Sequence, residues 1–110
     1  MSRETAEILR RAKARIAAPS QWVQGCLAVD AAGEPIQPGD PSACAWCALG
    51  SIVADGFDES LGARKAFGDA VGQRYFSRFN DSETTTHADI LAAFDRAIAA
   101  ESATTAAGAE

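Results

Sequence analysis

Apolar residues near the start of the chain recur at helical spacing. Ile8, Leu9, Ala12 and Ile16 share one stripe, while Arg3, Glu7, Arg10, Arg11 and Arg15 fall on the opposite, solvated side. This predicts an amphipathic helix over 3–17, capped by Ser2 and stopped by Pro19. Glu4 and Glu7 lie near its positive end and the basic residues near its negative end, an arrangement that suits a solvated helix. A short apolar run at 26–29, the loop Asp30-Ala31-Ala32-Gly33 and a second run at 34–37 read as a small β-hairpin. Pro35 would make that second strand an edge.

Asp40 followed by Pro41 is a helix-start signal, and the following segment, 42–54, contains no charged residue. A helix apolar on every side is a buried one, so 42–54 is the predicted central element. Gly50 within it sacrifices about 1 kcal/mol relative to alanine, which makes sense where another backbone approaches closely. A third helix is expected from Asp58 or Ser60 to about Tyr75, with Ala63, Ala66, Phe67, Ala70 and Val71 facing inward. The stretch 77–85 is polar, and Asn80-Asp81-Ser82 reads as a turn. Thr86-His87-Ala88-Asp89 then opens a helix as a capping-box variant, followed by Ile90, Leu91, Phe94, Ala97 and Ile98. From Ser102 onward the periodicity is lost, so 1–101 is expected as one globular domain and 102–110 as a flexible tail.

The fold class this implies is mainly α (α+β), with about four helices packed around a buried central helix and one small β-hairpin. Composition sharpens it. Of 110 residues, 47% are hydrophobic, yet 25 are alanine and only 20 are Leu, Ile, Val or Phe. Alanine favours helices that approach closely, so the bulkier residues must be concentrated where those helices meet. A core this thin gains from burying further surface, and a homodimer is expected on that ground. A net charge of −5 and a pI near 4.8 oppose general nucleic-acid binding, which requires a basic surface. The cations of the first helix form too small a patch to reverse that. No apolar run is long enough for a membrane span, and cations occupy the place of a signal segment's apolar stretch. With three cysteines in such a chain, a reducing cytoplasm is the expected compartment.

Two clusters hold the candidate chemistry. Cys44 and Cys47 form C-x-x-C, and with Cys26 and His87 they could supply a Cys3His zinc shell. Within a buried helix the simpler reading is that they are small hydrophobes, and no metal or cofactor is expected. A redox dithiol would need a strand leading into a helix N-terminus. The second cluster runs from Phe79-Asn80-Asp81 to Thr86-His87-Ala88-Asp89 and contains the sole histidine. A helix start favours a small anionic ligand and disfavours a cationic imidazole, leaving His87 available as a base or donor. Asp81 or Asp89 would orient it and Asn80 would polarise a substrate. Alternatively these residues only make a turn and a cap. Trp46 is expected in the core, and Trp22 either closes one end of it or lines a binding groove.

Trp22-x-x-Gly25, Trp46-Cys47-Ala48-x-Gly50, Asn80-Asp81 and the run from Thr86 through Ile98 together resemble a family of small bacterial and phage proteins known as a domain of unknown function. The resemblance covers all but about the last ten residues. It implies recurrence of Trp22, Cys47, Asn80, Asp81 and His87, with Phe79 at an aromatic position, and implies no activity. The expected function is therefore a small noncatalytic module that binds a protein partner or a small ligand, in a regulatory or mobile-element setting. A small enzyme or anion-binding protein built on His87, and a zinc domain, are the alternatives.

Overall fold

The computed structural model describes residues 2–73 and 76–108. Helix α1 (Ser2–Arg15) forms as the stripe predicts, with Leu9, Ala12 and Ile16 wholly buried. A 3-10 turn (Pro19–Gln21) leads to strand β1 (Ala28–Val29), strand β2 (Ala45–Trp46) and helix α2 (Ala48–Val53). Helices α3 (Leu61–Val71), α4 (Ser77–Asp81) and α5 (His87–Gly108) follow. The described residues are thus mainly helical with one small antiparallel sheet, the expected fold class.

The central charge-free segment departs most from its pattern. Asp40 does not start a helix: its carboxylate accepts from Ser42 N at 2.8 Å and its carbonyl from Ala43 N at 3.0 Å, closing a turn. The chain then extends, and β2 pairs antiparallel with β1 through Ala28 opposite Trp46 and Val29 opposite Ala45. A short all-apolar run has the same hydrophobic signature as strand or helix, so long-range pairing decides. The buried helix begins only at Ala48. The predicted hairpin keeps its turn, with Asp30 N donating to Glu34 O, but its second strand shrinks to a bridge between Val29 and Pro35. Pro35 has no N–H to extend it.

Gly50 confirms the expected close approach. A Cβ at this position would collide with the Leu27 carbonyl oxygen, so the loop before β1 rests directly on α2. Helix α3 stops at Val71 because Gly72 turns left-handed at φ 71°. Its predicted end at Tyr75 lies outside the described residues. Ser60 precedes α3 but donates its hydroxyl to Phe57 O and caps no α3 amide. Asn80-Asp81 is not a turn but the end of α4; the turn comes after it, closed by Thr85 N to Ser82 O at 3.1 Å.

The core lies where α1, α3 and α5 meet over α2. Leu9, Ile16, Ile52, Phe67, Ile90 and Phe94 are its wholly buried large residues, and Phe67 packs on Phe94 and Phe76 at ring separations of 4.6 and 4.8 Å. Such aromatic pairs add about 0.5–1.5 kcal/mol each beyond area burial. Helix α5 continues to Gly108, past the point where periodicity is lost, because an alanine-rich run needs no apolar stripe to remain helical. Ser102 accepts a hydrogen bond from Arg10 of α1 at 3.2 Å. Among the described residues no helix is long and apolar enough to cross a membrane.

Candidate functional site

The fold brings Trp22, Asn80, Asp81 and His87 together. Asn80 sits in the last turn of α4, where Phe79 anchors the helix against the core, and is only 1% exposed. Its Oδ1 accepts from Trp22 Nε1 at 2.7 Å and from Ala48 N at 3.0 Å. Its Nδ2 donates to Val23 O at 3.2 Å and to Asp81 Oδ1 at 2.9 Å. Two acceptances and two donations use the full capacity of a carboxamide. Asn80 therefore has no valence left with which to polarise a substrate.

The surrounding groups are similarly engaged. Asp81 Oδ1 also accepts from Gly25 N at 2.9 Å, and Gln24 donates to the carbonyls of Asn80 and Ser82. Segment 22–25 is thus tied to α4 from both sides. It is also tied to the sheet: Val23 N donates to Trp46 O, and Trp46 donates its indole N–H to Pro38 O at 2.9 Å. His87 opens α5, and its Nε2 lies 2.7 Å from the carbonyl of Ile16. A carbonyl only accepts, so Nε2 carries the proton in this contact. The Trp22 ring lies 6.1 Å away, tilted by 42°. The orienting partner of His87 is a backbone carbonyl, not the carboxylate of Asp81 or Asp89 that a general base would use. Asp89 forms the capping box, accepting from Thr86 N at 3.0 Å while its own amide donates to Thr86 Oγ1 at 3.1 Å.

The cysteines are dispersed in role. Cys44 is exposed and Cys26 half-buried, while Cys47 is buried at the N-cap of α2. Its Sγ accepts from Gly50 N at 3.2 Å, while Asn80 serves the Ala48 amide, so two side chains from distant segments satisfy the start of one short helix. Burial pushes the Cys47 thiol above its usual range; the Gly50 and Leu49 amides act in the opposite sense, and Asp81 and Cys26 reinforce the rise. A protonated, buried thiol is a poor nucleophile. Cys26, Cys44, Cys47 and His87 are not gathered into a shell: among the described residues no three His, Cys, Asp or Glu side chains are placed to hold a metal ion.

A different surface carries an open cleft. Along the outer side of α3 runs a cleft of about 1100 Å³, with Leu49, Gly68, Gly72 and Phe76 among its lining. Phe57 and Leu61 line it while remaining 65% and 63% exposed. Arg64 donates to Phe57 O at 2.7 Å and places its guanidinium 4.0 Å from the Phe57 ring centre, holding that ring in place. The sequence did carry a signal for this surface. Phe57 and Leu61 are spaced i,i+4 and lie off the inward stripe of Ala63, Ala66, Phe67, Ala70 and Val71, so two large apolar residues were left without a core role.

Neither a curated protein nor a solved structure matches the chain. Residues 1–100 match the family described as "Family of unknown function (DUF6197)", which spans every element up to the middle of α5 and includes both the Asn80 cluster and the α3 cleft. The chain belongs to that family of unknown function.

Proposed function

We propose that this chain is a noncatalytic interaction module and that the α3 cleft is its docking surface. The observation that carries the reading is the exposure of Phe57 and Leu61 beside an apolar cleft. Large apolar residues grouped at a concave surface mark a contact site. A protein partner fits better than a small molecule, since a small-ligand pocket relies on a few convergent polar groups, and the polar groups of the Asn80 cluster are already bonded to one another. The cations of α1 support no nucleic-acid role. Arg10 and Arg11 pair with Glu7, Arg11 and Arg15 with Asp55, and Lys13 with Asp95. Three free thiols favour a cytoplasmic setting.

A photo-crosslinking amino acid placed at Leu61, with Ala32 on the hairpin turn as control, tests this in cells expressing the full chain. A discrete crosslinked product from position 61 and none from position 32 is expected. No product from either position would refute the docking surface.

A further inference from the structure

The occupant of this cleft can be read from the surface that lines it, accepting that the cleft is a docking surface. Leu61, Lys65 and Asp69 follow one another at four-residue intervals along α3. The exposed Leu61 stands at the N-terminal end of α3 and Gly72 ends the helix at the other, and both line the cleft. Lys65 and Asp69, opposite in charge, lie between them and are 77% and 71% exposed. The surface therefore offers a projecting apolar side chain, a positive charge, a negative charge and the side-chain-free Gly72 in that order.

Such an order is complementary to its own reverse. A two-fold axis crossing α3 midway between Lys65 and Asp69 sets Lys65 beside the partner's Asp69 and Asp69 beside the partner's Lys65. Because α3 runs from Leu61 to Val71, the same operation sets Leu61 beside the C-terminal end of the partner's α3, at Gly72. Each projecting Leu61 thus meets the Gly72 end of the other copy's α3, and each charge meets its opposite. We propose that the partner is a second copy of this chain, bound through antiparallel α3 helices in an isologous homodimer. The Lys65–Asp69 contact within one chain, at 3.3 Å, becomes part of a four-charge cluster on the axis.

Charge exchange tests this register. Sedimentation equilibrium of the full chain is expected to show a mass rising with concentration from 11.4 kDa towards twice that value. Lys65→Asp alone and Asp69→Lys alone each place like charges together twice across the axis, and each is expected to weaken self-association by more than about tenfold. An equimolar mixture of the two variants restores opposite charges at both contacts and is expected to dimerise again. Both positions are exposed, and circular dichroism verifies that each variant folds. A wild type that stays at 11.4 kDa overturns the proposal, as do single variants that associate normally or a mixture that does not recover. The crosslink at position 61 separates the two readings. A product of the chain with a different protein keeps the docking surface and removes the homodimer, whereas no product removes both.

Discussion

Replacing Asn80 by alanine isolates what its four hydrogen bonds contribute. The substitution leaves the buried Ala48 amide without an acceptor, the half-buried Trp22 indole N–H without its partner, and the Val23 carbonyl without its donor. Each buried polar group left unpaired costs about 1–3 kcal/mol. The Ala48 amide bears the full penalty, and water relieves part of it at Trp22, so a loss of about 3 kcal/mol is expected. Against a total stability of about 5–15 kcal/mol, that is a large fraction, from a residue that supplies little apolar packing. Urea unfolding followed by circular dichroism measures it, with the slope unchanged. Trp22→Phe removes only one donor and leaves Asn80 Oδ1 bonded to Ala48, so it should cost about 1 kcal/mol. The double variant should show a coupling of at least about 0.5 kcal/mol. Asn80→Asp gives a second signature. The new carboxylate retains the acceptor but faces Asp81 Oδ1, which the amide approached at 2.9 Å. Burial and like charge raise its folded pKa, so stability is present below the unfolded value and lost as pH rises through the folded one. This variant should lie nearer to wild type in acid than at neutrality. A loss below about 1 kcal/mol for Asn80→Ala, or an Asn80→Asp deficit that does not change with pH, would refute the reasoning.

Three further outcomes are expected. Gly50→Ala gains about 1 kcal/mol of helix propensity but drives a Cβ into the Leu27 carbonyl, so the net change measured by thermal unfolding should be a loss of at least about 2 kcal/mol. Thr86→Ala breaks the capping box and should lower stability by about 1 kcal/mol by the same assay. In thiol alkylation near neutrality Cys44 should react first and Cys47 only on unfolding. Because burial raises the Cys47 pKa, its contribution is complete below the unfolded thiol value of 9.0 and is lost as pH climbs through the folded value. Cys47→Ser, whose hydroxyl does not titrate there, should lose less stability in that alkaline range.

How far the sequence discloses this molecule depends on the range of the forces involved. The stripe of α1 and the Thr86–Asp89 cap are decided within a few residues, and both are found as predicted. The glycine at position 50 announced a close neighbour, although not that the neighbour would be the Leu27 carbonyl. The apolar run at 42–54 could not be divided locally. Whether Ala45–Trp46 extend or coil is decided by Ala28–Val29, and the helix start is fixed by Asn80, 32 residues beyond Ala48. For the candidate cluster, proximity was legible but role was not. Trp22, Asn80, Asp81 and His87 do converge, yet nothing in residue type reveals that both ends of the Asn80 amide are already occupied.

The same amide has a kinetic consequence. Its partners at Trp22, Val23 and Ala48 lie 58, 57 and 32 residues from it along the chain. Two loops must therefore close before the group is satisfied, one to the adjacent Trp22 and Val23 and one to Ala48, and an unsatisfied amide in a forming core gains nothing from arriving early. Asn80 is therefore expected to engage as a latch, after α1 and α5 have packed together. Its removal should speed unfolding while leaving the folding rate nearly unchanged, a φ-value close to zero. The lifetime of the folded state would then be controlled by one side chain that the folding reaction itself scarcely uses.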